Sequence, residues 1–103
     1  MKILIVLCCY NEQDNIEGLL NSINVVISNS KYYKSIFIVV DDGSEDGTYD
    51  RIHAHMNHYS IELVRHKKNM GLGVSLRDGL NKALSLCCRE DIIICLDADN
   101  THR

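Results

Sequence analysis

A chain of 103 residues, 46% hydrophobic and 24% charged, suffices for one small domain built around a single core. Its formal charge of −3 excludes the basic face that a nucleic-acid binder presents, and no apolar stretch is long enough to span a bilayer. The opening MKILIVLCCYNE has the lysine and apolar run of a signal peptide, but the run is only about seven residues long and no cleavage pattern follows. Ile3–Leu7 is therefore predicted as a buried strand.

Ile16, Leu19, Leu20, Ile23, Val26 and Ile27 then recur at helical spacing, with Asp14 and Glu17 forming a capping-box-like start. Ile36–Val40 is a second buried strand. Tyr49, Ile52, Met56 and Tyr59 mark a second amphipathic helix, and Ile61–Val64 is a weaker strand placed nearer a sheet edge. After the glycines at 71 and 73, Leu76, Leu80, Ala83, Leu84 and Cys87 mark a third helix. Ile92–Leu96 is a fourth strand, continuous in Ile and Leu as strands covered on both faces are. The order βαβαβαβ with right-handed crossovers predicts an α/β fold, a doubly wound and mostly parallel sheet. Without proline, repeats or low-complexity segments, residues 1–103 read as one unit.

The cysteines at 8, 9, 87, 88 and 95 are odd in number and form no C-x-x-C pair, so neither a disulfide framework nor a zinc site is indicated. They read as reduced core residues of a cytoplasmic protein. His53, His55 and His58 read as a solvated helix face, since i, i+2 residues point to different sides of a helix.

In open parallel sheets, ligands bind beyond the carboxyl ends of the strands, where strand order reverses. The loops at those ends are CCYNEQDN, DDGSEDGT, HKKNMGLG and DADNTH, each dense in groups that bind phosphate, sugar or metal. Asp97 and Asp99 follow a strand with their side chains on one side, as two oxygen ligands for Mg²⁺ or Mn²⁺ would be; the plain alternative is a solvated turn. Asp41 and Asp42 stand at another strand tip, so four carboxylates can gather at one crevice if a cation or hydrogen-bond donors offset their repulsion. A turn with a helix cap at Ser44 or Asp46 is compatible with that role. KKNMGLG matches neither G-x-G-x-x-G nor a phosphate-binding loop, which leaves a helix entry with Lys67, Lys68 and Arg77 as optional phosphate contacts.

Together, CYNEQDNI at 9–16, VDDGSEDGT at 40–48, NMGLGVSLRDGL at 69–80 and LDADNTH at 96–102 resemble the nucleotide-binding half of family 2 glycosyltransferases with the GT-A fold. Their order and spacing look most like the branch containing polyprenyl-phosphate sugar transferases. The resemblance implies a site for a UDP- or GDP-linked sugar donor, walled by Cys9, Tyr10, Asn11, Glu12, Asp41, Asp42, Gly71, Gly73 and Asp97. Tyr10 and Glu12 would lie against the nucleoside and Asp41 against the base. Asp97 and Asp99 would hold a divalent metal, Mg or Mn, at the diphosphate. It further implies inverting transfer by direct displacement to a polyprenyl phosphate or glycan acceptor.

Two departures qualify the match. The family places proline where Cys8 or Cys9 stands, a change that mainly frees φ. The general base and acceptor contacts lie, in the family, downstream of D-x-D. The catalytic base is therefore expected beyond Arg103, and this chain reads as a donor-binding subdomain truncated after that motif. The full-length protein would then work at the cytoplasmic face of a membrane. Self-association through an exposed sheet edge is expected. Two other classes fit the composition: a non-catalytic nucleotide- or metal-binding module, and a receiver-like phosphoacceptor domain. The latter would carry its acidic pair after the first strand.

Overall fold

The computed structural model describes residues 1–30 and 34–98. Its elements alternate as β1 (Lys2–Cys9), α1 (Ile16–Ser28), β2 (Lys34–Asp41), α2 (Thr48–Ala54), β3 (Ile61–Arg65), α3 (Leu72–Leu86) and β4 (Ile92–Asp97). The four strands form one parallel sheet in the order β3-β2-β1-β4. The chain steps outward from β1 to β3 and then crosses back to place β4 on the other side of β1. Strand order thus reverses between β1 and β4. The predicted doubly wound architecture is the observed one.

Side-chain alternation along the central strands feeds two cores. Ile5, Leu7, Phe37 and Val39 face α1 and α2, meeting Ile16, Leu20 and Ile52. Leu4, Val6, Ile38 and Val40 face α3, meeting Ala83. The edge position predicted for the third strand is observed. The fourth strand, predicted as covered, is the opposite edge: Ile92, Ile94 and Leu96 are exposed, because no helix lies over that end of the sheet among the described residues. No helix among the described residues is long and apolar enough to cross a membrane.

Four further expectations are corrected. The buried stripe of α1 runs through Ile16 and Leu20 with Ile23 and Ile27 beside it, and Val26, roughly 80° round the helix, is exposed. Asp14 and Glu17 form no capping box; Asn15 is the N-cap, its side chain bonded back to Glu12 rather than to a helix amide, and Glu17 instead pairs with Arg51 and His55. The second helix ends at Ala54, although Met56 and Tyr59 still pack on the core from the turns that follow. In α3 the fully buried line is Ser75, Gly79 and the expected Ala83, with Leu76 and Cys87 packed beside it, and Leu84 is exposed. Small residues dominate because the helix sits so close to the sheet that a Cβ on Gly79 would lie 2.5 Å from Val6 Cγ1.

Of the cysteines, only Cys8 and Cys9 are core residues, whereas Cys87 is half-buried and Cys88 and Cys95 are exposed. His53 and His58 are exposed as expected, but His55 is half-buried beneath its Glu17 contact, Nε2 to Oε2 2.9 Å.

Candidate functional site

Beyond the carboxyl ends of β1 and β4, at the point of reversal, lies a crevice of about 370 Å³. Cys8, Cys9, Tyr10 and Glu12 wall it from β1 and its loop, Asp42 from the tip of β2, Asn69, Gly71, Leu72 and Ser75 from the entry to α3, and Asp97 and Ala98 from β4. All four predicted loops therefore converge on one place.

The crevice is shaped by bonds between its loops. The turn after β1 is laced to the turn after β2: Asn11 N donates to Ser44 Oγ (2.9 Å), Glu45 N to Asn11 Oδ1 (2.9 Å), Glu12 N to Thr48 Oγ1 (2.8 Å) and Gly47 N to Gln13 Oε1 (2.7 Å). Asn11 takes a left-handed φ of +53° to make this reciprocal contact, a conformation asparagine tolerates better than most residues. Gly43, at φ +74°, passes so close to the Lys68 backbone that no Cβ fits. The second acidic turn is thereby locked to the loop after β3.

The carboxylates differ in state. Asp41 is fully buried; Oδ1 accepts from Ser44 N at 3.1 Å, while Oδ2 has no hydrogen-bond partner and lies 3.8 Å from Arg65 Nε. Arg65 also stacks on the Tyr49 ring at 3.7 Å. Asp42 is nearly buried and fully used: Oδ1 accepts from Met70 N (2.8 Å) and bonds His66 Nδ1 (2.8 Å), and Oδ2 accepts from Gly71 N (2.9 Å). Burial pushes its carboxyl pKa up, but the His66 and backbone bonds together bring it below the ordinary carboxylate range. The repulsion expected between clustered carboxylates is thus offset at Asp42 by donors. Glu12 is buried and accepts from Asn15 Nδ2 at 2.9 Å. Asp97 is exposed at the β4 tip, on the crevice wall.

The Cys8 and Cys9 thiols are held away from the thiolate form. Burial, with a contribution from Asp97, pushes Cys8 up to about 11, and burial raises Cys9 still further, so both stay protonated at neutral pH.

Of the residues singled out in the sequence, Cys9, Tyr10, Glu12, Asp42, Gly71 and Asp97 meet on the wall. Asn11, Asp41 and Gly73 stand off it; Asn11 is spent in the lacing and Asp41 lies beneath the turn that Ser44 closes. Asp99, the second expected metal ligand, lies outside the described residues, and so does Arg103, beyond which the catalytic base is expected. Lys67, Lys68 and Arg77 are not on the wall, and Arg77 pairs with Asp78. Sequence reasoning missed Cys8, Asn69, Leu72, Ser75 and Ala98 on the wall, and His66 behind Asp42. The Ser75 hydroxyl is buried without a hydrogen-bond partner in this wall. Its only signal was its place one turn before Gly79 on the small-residue face of α3.

A metal requires oxygen donors here. Among the described residues no group of three or more His, Cys, Asp or Glu forms a closed cage. Asp97 offers a single hard carboxylate at an open tip. That donor set fits Mg²⁺ or Mn²⁺, which are held through one or two carboxylates while water and phosphate complete the shell.

A parallel sheet with a crevice at the strand-order reversal places the chain among the doubly wound α/β proteins, which bind their ligands at that point. The Glycosyl transferase family 2 model matches residues 4–103, and the chain belongs to that family. It is 28% identical over 102 residues to a dolichol-phosphate mannosyltransferase of Pyrococcus furiosus, covering 99% of this chain and 27% of that protein. It is 33% identical over 97 residues to a poly-beta-1,6-N-acetyl-D-glucosamine synthase of Staphylococcus aureus, covering 94% of this chain and 21% of that one. Among solved structures, it resembles the mannosyltransferase PcManGT of Pyrobaculum calidifontis in complex with GDP-Man and Mn2+ (TM-score 0.69, 26% identity, 94% of this chain and 27% of that one). S. aureus TarS 1-349 in complex with UDP-GlcNAc shares the fold (TM-score 0.75, 22% identity, 96% and 27%). The chain spans about a quarter of the length of the curated relatives it matches.

Proposed function

We propose that this chain is the donor-binding subdomain of an inverting glycosyltransferase, with the nucleoside diphosphate of a UDP- or GDP-linked sugar seated in the crevice between β1 and β4. The observation that carries this reading is the convergence of all four carboxyl-end loops on one 370 Å³ crevice at the point of strand reversal. Family membership and a relative solved with GDP-Man and Mn2+ support it. Tyr10, 40% exposed at the mouth, offers a ring for the nucleoside, with Cys9 and Glu12 beside it. Asp41 is assigned to the base by the family resemblance; its buried Oδ2 has no hydrogen-bond partner, and the turn that Ser44 closes over it would have to open for a base N–H to reach it. Asp42 and Gly71 shape the α3 side, Gly73 lies off the wall in the first turn of α3, and Asn11 holds the turn that carries Tyr10.

Asp97, together with Asp99, would hold the divalent metal. When bound, that ion supplies Lewis-acid stabilisation of the charge on the departing diphosphate. The chain's own residues bind and orient the donor, and no general base is assigned among them; in the whole protein it would follow Arg103. The acceptor there would be a polyprenyl phosphate, as the dolichol-phosphate mannosyltransferase relative suggests, or a glycan, with the site on the cytoplasmic face of the membrane. The open β4 edge gives the chain a surface for pairing with a second copy.

Calorimetric titration with UDP and GDP, each with and without Mn²⁺, tests the donor reading. Metal-dependent binding of one nucleotide is the expected result. A folded chain that binds neither contradicts it.

A further inference from the structure

His66, which follows β3, has no role in the reading above, yet its ring sits between two carboxylates. Nδ1 lies 2.8 Å from Asp42 Oδ1 and Nε2 lies 2.8 Å from Asp78 Oδ2 on α3. The side chains of His66 and Asp42 are only 8% and 7% exposed, and Asp78 is 29% exposed. An ionised carboxylate can only accept, so a ring bonded to two of them must donate from both nitrogens. Both carboxyls are held ionised. Asp42 has its backbone donors in addition to the ring, and Asp78 is lowered first by His66, with burial opposing and Arg77 assisting. The ring is therefore an imidazolium, its pKa raised first by Asp42, then by Asp78 against burial.

The cation is connected to the crevice. Asp42 passes the constraint to the amides of Met70 and Gly71, the last residues before α3, and Gly71 there adopts φ +96°. Gly71, Leu72 and Ser75 then wall the crevice. One buried side chain thus ties the tips of β2 and β3 to the start of α3. Of the other charged groups around it, Arg77 shares the Asp78 carboxylate and the rest are engaged elsewhere or point outward. Arg65 turns to Asp41 and Tyr49, Lys67 is exposed, Arg77 pairs with Asp78, and Asp41 meets His66 only through its backbone carbonyl, 2.9 Å from His66 N.

We propose that His66 is a positioning residue for the donor site: gripped by Asp42 and Asp78, its imidazolium holds the Met70–Gly71 turn in the shape that walls the crevice, and deprotonation releases that turn. What the wall binds rests on the donor reading; the clamp itself does not. The sign follows from the raised folded-state pKa. The stabilisation is complete below the unfolded histidine value and is lost as pH rises through the folded value.

Two measurements on this chain test the proposal separately. By NMR, both ring nitrogens of His66 should be protonated at neutral pH, and the amide signals of Met70 and Gly71 should titrate with the ring as pH rises. In Asp78→Asn the shared transition should move to lower pH. Amide signals that ignore the ring's titration would overturn the clamp. In nucleotide titrations with Mn²⁺, His66→Gln should bind UDP or GDP about tenfold more weakly, the scale of one lost charged hydrogen bond. Wild-type affinity in folded His66→Gln would also overturn it. Should His66→Gln not fold, Asp78→Asn decides: a ring transition unmoved from wild type rejects the clamp. A wild-type chain that binds no nucleotide at any pH defeats the donor reading, and the amide signals alone then judge the clamp.

Discussion

Two strand tips carry acidic residues at this edge of the sheet, and they are built in opposite ways. At the β2 tip, Asp41 and Asp42 are buried and bonded to the turns that follow β2 and β3, with Arg65 and His66 near them. At the β4 tip, Asp97 is exposed on an edge strand that no helix covers among the described residues. A carboxylate whose lone pairs are taken by backbone amides and a buried cation shapes a wall. One at the exposed tip of β4 lines the same crevice from the solvent side. The same residue type therefore packs into the fold at one tip and lies exposed at the other, where the proposed reading gives it the metal of the donor.

The contrast can be broken by mutation. Asp42→Ala should cost the largest amount, about 3–5 kcal/mol of unfolding free energy, because it strands a buried imidazolium and two amides. Urea unfolding would measure it, and a loss below about 1 kcal/mol would mean that Asp42 does not support the wall. Gly79→Ala should cost about 1–3 kcal/mol in the same assay, since its Cβ would meet Val6 Cγ1 at 2.5 Å and Val40 Cγ2 at 3.1 Å and push α3 off the sheet. An unchanged midpoint would show that the helix can shift freely. Asp97→Asn should alter stability by no more than about 0.5 kcal/mol, so its effect is confined to binding. Ile94→Lys, on the open β4 edge, should leave unfolding similarly unmoved while shifting sedimentation toward monomer. Unchanged sedimentation of an associating wild-type chain would place self-association elsewhere.

Much of this was legible from residue order. Continuous Ile and Val runs specified β1 and β2 because strands covered on both faces need no alternation. The loop motifs then located the crevice, since topology brings the carboxyl ends of parallel strands together whatever their detailed packing. Three features were not fully legible. The run at Ile92–Leu96 looked as buried as Ile3–Leu7, but burial depends on what lies across the sheet, which a local pattern does not encode. The core face of α3 was only partly legible: Ala83, Leu76 and Cys87 lie on it as expected, but close helix–sheet approach also selects Ser75 and Gly79, residues that carry little hydrophobic signal. His66 escaped notice because its partners lie 24 and 12 residues away, and only the fold shows that one ring reaches both.

The most direct test of the donor site is a paired titration of wild type and Asp97→Asn with the bound nucleotide, each with and without Mn²⁺. The account predicts equal melting temperatures, Mn²⁺-strengthened binding in wild type, and loss of that strengthening in Asp97→Asn. Equal metal dependence in both proteins would contradict it.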